Sequence, residues 1–225
     1  GGVNLNFTGA YEESKFDVSI ESSNKAYQIE YRQVGLNDSI FIPKSLNSER
    51  SLIKLNVKSI YNTVDASYEF VITDNLGANV ELVTSAHPKY NNNGSLNLVD
   101  GIDGRIPWKG SEWLGFNTNR IEFIVDLEEK KKINGVRIGF LEDRGSWIYL
   151  PKNIHVFTSK DRVNWINVSK ANLKECSSQF GMKEIYFKCK TRYVKVQIVA
   201  MDLIPEGGDG AGHIPWTFID EIELF

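Results

Sequence analysis

Strict alternation of apolar and polar residues constrains this chain more than any other feature. In IEFIVDL (121–127), Ile121, Phe123, Val125 and Leu127 take one face, and Glu122 and Asp126 take the other. Only an extended strand, with its two-residue repeat, sorts side chains in this way. RYVKVQIVAM (192–201) repeats the pattern, with Val194, Val196 and Ile198 inward and Lys195 and Gln197 outward. No window of a dozen residues carries the 3.6-residue period of an amphipathic helix. The alternation therefore predicts an all-β protein.

Shorter strands precede these two. FDVSI (16–20), YQIEY (27–31), SIFI (39–42), LIKLNV (52–57) and YEFVI (68–72) are β-branched and aromatic, and clusters of Asn, Ser, Gly and Asp separate them. Such spacing predicts a small β-sandwich. DNLGAN (74–79) is turn chemistry that does not require burial, and it marks a boundary between a domain at 1–78 and another at 79–225. The first is small enough to be marginal alone. In the second, Asn134-Gly135 predicts a hairpin-type turn before VRIGFL (136–141). NIHVFTS (153–159) and the terminal WTFIDEIELF (216–225) complete the strands, the latter pinning the chain end into a sheet. Gly-containing loops at 141–150 and 202–216 sit where a rigid sandwich carries its binding residues.

Charge and composition exclude several classes of function. With 26 Lys and Arg against 29 Asp and Glu, the net charge of -3 offers no electrostatic footprint for nucleic acid. EEKKK (128–132) reads as a solvated turn, flanked by its own acids and by Asn-Gly. No apolar run approaches the roughly 20 residues of a membrane-spanning helix. The opening Gly-Gly is read as an excised or processed piece. Cys176 and Cys189 lack metal-site spacing; one bridge or two buried thiols both fit. His87, His155 and His213 lie far apart, which weakens any His-based triad or His-rich metal centre.

The second half also resembles a known family. NLVDG followed by a Trp, then IVDL, KINGVRI, VFTSKDRVNWINV, RYVKVQI and FIDEIEL, is similar to the discoidin or coagulation factor 5/8 type C domain. The sugar-binding members of that family are family 32 carbohydrate-binding modules. Ser159, Asp161 and Trp165 carry its Ser-x-Asp-x-x-x-Trp element; Glu128 departs from it, standing where the family has Gly. The resemblance implies that the second of two β-sandwich domains is a discoidin-like jelly roll. AHPKY (86–90), VDGIDG, GFLEDRGSWIYLP (139–151) and AGHIPWTFIDEI (211–222) further resemble the C-terminal tail of Bacteroidetes-type glycoside hydrolase 20 β-N-acetylhexosaminidases, or chitobiases. There an Ig-like, chitobiase C-terminal-type sandwich precedes the discoidin domain, although IEYRQVG stands where those sandwiches carry a YTLDGSEPT-like run. The parent would be secreted, periplasmic or extracellular, with its catalytic domain as a partner.

Two sites follow. Sugar-binding discoidin domains hold a structural Ca²⁺ with main-chain carbonyls, an Asp of the first loop and a Glu of the last strand. By position Asp100 and Glu221 match, with Asp103 and the Leu98 carbonyl as additions. The family's small hydroxyl residue is replaced near Arg105-Ile106-Pro107, so a metal-free clamp neutralised by Arg105 is the alternative. Sugar recognition calls for aromatic faces with a few polar anchors. Arg144, Trp147 and Tyr149 in one loop, and His213 and Trp216 in another, are the candidates, for N-acetylhexosamine or galactose-type sugars. Trp113 and Trp165 fall at core positions, and Trp108 fits either group. Adjacent Asp220-Glu221 evokes the paired acids of those hydrolases, but neighbours on a flat strand face opposite ways and no βα repeats are present to build a barrel. The expectation is a non-catalytic glycan-binding region. The alternatives are a spacer without ligand and an adhesion module, which would need apolar loop tips where these loops offer Gly and charge.

Overall fold

The computed structural model describes residues 2–6, 15–22, 28–35, 38–43, 52–59, 65–172 and 180–225. It is nearly all strand, and it divides into two compact units, Gly1–Thr73 and Asp74–Phe225.

The first unit holds β1 (Gly2–Asn6), β2 (Lys15–Ser22), β3 (Gln28–Gly35), β4 (Ser39–Pro43), β5 (Leu52–Ser59) and β6 (Asp65–Val71). Strands β3-β2-β5-β6 form an antiparallel sheet, and β1 pairs with β4. Val18, Ile20, Ile53, Leu55 and Phe70 are its buried face. Across the other face, Ser67 Oγ donates to Asn56 Oδ1 (2.9 Å) and Asn56 Nδ2 to Ser19 Oγ (3.2 Å).

The second unit holds β7 (Asn79–Leu82), β8 (Leu114–Phe116), β9 (Arg120–Leu141), β10 (Asn153–Ser159), β11 (Ile166–Asn172), β12 (Phe180–Val199) and β13 (Thr217–Leu224). Their order is β11-β10-β12-β9-β13-β8, with β7 added to β9. β9 and β12 run antiparallel from Phe180 opposite Leu141 to Val199 opposite Arg120, interrupted by bulges between Tyr186 and Cys189 and between Thr191 and Tyr193. These bulges let one long ribbon serve two layers. The first half of β9 pairs with β7, the second with β13. Ile121, Phe123, Val125, Ile138, Phe140, Val194, Val196, Ile198, Ile219 and Ile222 pack into a single core between them. The loop 200–216 joins Val199 to Thr217, so both ends of β9 meet at one end of the unit.

Three local expectations change. Asn134-Gly135 makes no hairpin: it lies inside β9, and both N–H groups donate to the Phe225 carbonyl (2.5 and 3.1 Å). A Cβ on Gly135 would meet the Phe225 ring at 2.5 Å, so this glycine permits close approach rather than a turn. Residues 74–77 do turn, but Asn75 is buried. Its Nδ2 donates to the Ile222 carbonyl and its Oδ1 accepts from Leu224 N–H, both at 2.7 Å, which ties the turn to β13. Glu128 has φ 64°, the left-handed region that a glycine adopts without steric cost. Cys189 is half-buried against the core, while Cys176 lies outside the described residues.

Candidate functional site

The loop between Val99 and Trp113 closes over β13. Trp113 anchors it: the indole is 1 % exposed, packs with Leu141, Ile148 and Phe218, and donates from Nε1 to the Arg105 carbonyl (3.0 Å). A Cβ on Gly104 would come within 2.3 Å of that ring, so only glycine fits beneath it. With Trp113 as pivot, Gly101 N–H donates to Glu221 Oε2 (3.0 Å) and Gly104 N–H to Asp220 Oδ2 (2.7 Å).

Both acids reach the same loop because β13 is bulged. Ile219 stands opposite Phe140 and Ile222 opposite Ile138, so Asp220 and Glu221 share the single partner position of Gly139. An added Cβ on Gly139 would lie 1.8 Å from Asp220 Oδ1, so the space for that carboxyl is the missing side chain. The alternation argument against a joint role for the pair thus fails. Access is what opposes catalysis, since both residues are 0 % exposed and face backbone N–H groups.

Burial dominates the electrostatics here. Desolvation pushes Asp100 up to about 6, with the Glu112 charge adding to it. Asp220 is pushed up to about 7 by desolvation, with Asp103 contributing. Glu221 rises to about 10 through desolvation and then the charges of Asp100 and Asp220. Glu221 Oε1 and Asp220 Oδ1 are buried without a hydrogen-bond partner. Orphaned carboxylate oxygens of this kind are costly unless a proton or a cation satisfies them. Arg105 does not neutralise them: its guanidinium is exposed and pairs with Glu112. The donor chemistry of Asp100 and Glu221, hard oxygens facing a backbone loop, fits a hard cation. No three His, Cys, Asp or Glu side chains converge as a metal cluster among the described residues, so the carbonyls would have to supply the remaining ligands.

The aromatic candidates occupy the neighbouring edge, where the loops 141–150 and 202–216 meet. Asp143 and Ile148 exchange two backbone hydrogen bonds (3.0 Å each) to close the first loop. Trp108 supports it from below, its Nε1 donating to Asp143 Oδ2 (3.1 Å) and Ser146 Oγ (3.0 Å). Trp216 N–H donates to the Trp147 carbonyl (2.8 Å) and Tyr149 N–H to the Trp216 carbonyl (2.9 Å), which stitches the loops together. Trp147 has left-handed backbone (φ 60°, ψ 27°), unusual for a bulky residue, and its ring remains 39 % exposed. It stacks on His213 (centroids 4.6 Å, 19°) and lies against Gly210, where a Cβ would be 2.6 Å away. Arg144 is exposed, paired with Glu142 (3.0 Å) and 5.8 Å from the Tyr149 ring.

Tyr149 and Trp216 sit differently. Tyr149 is 5 % exposed and its hydroxyl donates to the Asp209 carbonyl (3.0 Å). Trp216 packs edge-on against His87 (5.1 Å) and Tyr90 (5.0 Å) within an aromatic cluster that includes Phe218. Both act as supports for the loops. Trp165 is half-buried, with Lys195 4.5 Å over its ring, rather than a core residue. Ser159 and Asp161 form the turn before it, where Asp161 accepts from Val163 and Asn164 N–H, and these bonds hold its carboxyl well below the usual range. Leu203 (56 % exposed), Ile214 (47 %) and Ile106 (54 %) stand on the loops. Apolar loop tips are therefore present, contrary to the reading of Gly and charge alone. A groove of about 520 Å³ in the first unit is lined by Asp17, Ser19, Glu30 and Asn56 among others, but its Ser-Asn-Ser ladder is already satisfied internally.

The model of the F5/8 type C domain matches residues 82–215, more than half of the chain. The chain belongs to the F5/8 type C domain family. The matched span stops short of β13, so Asp220 and Glu221 lie just beyond it. No curated protein sequence matches the chain. Among solved structures, a fucose-binding module from Streptococcus pneumoniae is 17% identical with a TM-score of 0.47, covering 68% of this chain and 94% of its own. A Clostridium perfringens module solved with GalNAc-β-1,3-galactose is 18% identical with a TM-score of 0.46, covering 68% and 99%. The C-terminal domain of a chitobiase from Bacteroides fragilis is 20% identical with a TM-score of 0.43, covering 65% and 92%.

Proposed function

We propose that the second unit is a non-catalytic glycan-binding module whose ligand edge is built on Trp147. The observation that carries this is the ring itself: a half-exposed indole in left-handed backbone, backed by His213 and Gly210. Such strain persists where surrounding structure enforces it, and it clusters at binding sites. Trp147 offers the stacking surface for an N-acetylhexosamine or galactose-type sugar, Arg144 and His213 are the polar anchors, and Tyr149 and Trp216 hold the loops. Asp100 and Glu221, with the Leu98 carbonyl and Asp103 nearby, would hold a structural Ca²⁺ that satisfies the buried oxygens. We infer that the chain is the C-terminal accessory region of a periplasmic or extracellular β-N-acetylhexosaminidase-like hydrolase. In that reading residues 1–78 are its chitobiase-type sandwich and the catalytic domain is its neighbour.

Titration with N-acetylglucosamine and with galactose, followed by ¹H–¹⁵N NMR, tests the module. Shifts confined to residues 141–150 and 202–216, lost in Trp147→Ala, are expected. Silence at millimolar sugar would leave the spacer reading standing. Exposed Leu203 and Ile214 favour a second reading, adhesion to a lipid surface. Co-sedimentation with anionic vesicles, abolished in a Leu203→Ser/Ile214→Ser variant, would support it.

A further inference from the structure

At the end of the unit away from these loops, strand pairing assembles a basic patch that the linear sequence conceals. Lys132 stands directly opposite Lys190 across the β9–β12 ladder, and both are exposed. Lys188, two residues before Lys190, is exposed while Phe187 turns inward; Lys130, two residues before Lys132, is exposed as well. Directly opposed like charges destabilise a sheet. None of these four lysines has a described ion pair. Of the acids around them, Glu184 binds Arg137 and Glu128 lies near Arg192, which itself grips Asp126. Glu129 and Lys131 occupy the alternate positions, with Lys131 Nζ toward the Asp74 carbonyl (3.4 Å). Beside the lysines, Tyr186 presents a ring 68 % exposed, its hydroxyl donating to Glu184.

We infer that the Lys130, Lys132, Lys188 and Lys190 face, with Tyr186 at its border, is a second binding surface, for an acidic glycan bearing sulfate or uronate groups. Charge complementarity is the first argument: four exposed lysines without a described ion pair, two of them directly opposed, lie together in the sheet of a chain of net charge -3. Tyr186 is the second, since an exposed ring beside cations suits a sugar that carries both a C–H face and an anion. A membrane is the poorer occupant. It would take up apolar side chains, and the exposed Leu203, Ile214 and Trp147 stand on the loops at the other end. This surface is independent of the Trp147 edge.

Retention of the whole chain on immobilised heparin, against neutral dextran, reads the proposal. Heparin binding at low salt is expected, weakening as salt rises. Lys132→Gln/Lys190→Gln should weaken it by about tenfold or more, since each cation near an anionic surface counts for several-fold. The variant should melt at or above the wild type, because a clashing charge pair has been removed. Trp147→Ala should retain full heparin binding, which separates this surface from the sugar edge. No retention on heparin, retention unaffected by the double variant, or stronger lysine-dependent binding to phosphatidylglycerol vesicles would each overturn the proposal.

Discussion

Two neighbouring regions of the second unit are built on tryptophan and spend it in opposite ways. In the clamp, Trp113 is sealed at 1 % exposure, and the polar groups around it are buried acids. At the edge, Trp147 keeps 39 % of its surface, and the backbone beneath it is strained rather than the electrostatics. A buried acid cluster can take a proton or a small ion, but has no room for a sugar. A half-open ring can meet a sugar, but contributes little to holding the fold. Structural and recognition chemistry are thus divided between adjacent loops, and substitutions should separate them.

The largest effect belongs to the clamp. Trp113→Ala should cost about 3–5 kcal/mol, as for other buried aromatics, measured by urea unfolding. A loss below roughly 1 kcal/mol would mean that the indole does not anchor the loop. Gly139→Ala should cost about 1–3 kcal/mol, because the added methyl displaces the Asp220 carboxyl. If Gly139→Ala is neutral, the bulged placement of Asp220 is wrong.

Calcium tests the same region through its charges. Asp100 and Asp220, raised from 3.8 to about 6 and about 7, contribute stability that is complete below the unfolded value and lost as pH rises through the folded ones. Without calcium, melting temperature should therefore fall between about pH 4 and 7 on account of these groups. Calcium at about a hundredfold its Kd should restore about 2.7 kcal/mol near pH 7, or roughly 5–10 °C, and little near pH 4, where the carboxyls are protonated. A melting temperature indifferent to EDTA at neutral pH would leave the metal-free clamp.

The smallest effect on stability should come from the edge. Trp147→Ala is expected to change unfolding by no more than about 0.5 kcal/mol while abolishing sugar-induced NMR shifts. A loss of several kcal/mol would make Trp147 a structural residue like Trp113, and the contrast would collapse.

Much of this was legible along the chain. Strict alternation named the first half of β9 and the later part of β12, because a two-residue period has no other regular solution, while the second half of β9 reads as a separate strand after a hairpin. The pairing of residue 100 with residue 221 was implied by the family resemblance alone; Glu221 accepts from Gly101 N–H, the residue next to Asp100. Gly139 was a missed signal. A glycine inside a strand pattern points to a bulge or a close approach, and here it faces one.

What the sequence by itself determined is which residues face inward along regularly pleated stretches such as 121–127 and 194–198, since pleating is a local property of the backbone. Register, bulges and loop meeting were decided only in three dimensions. The Asp220-Glu221 bulge opposite Gly139, the close approach of Gly135 to Phe225 and the facing of Lys132 by Lys190 all depend on partners more than fifty positions away. Alternation states which side a residue takes, but hydrogen bonding between distant strands sets what stands opposite it.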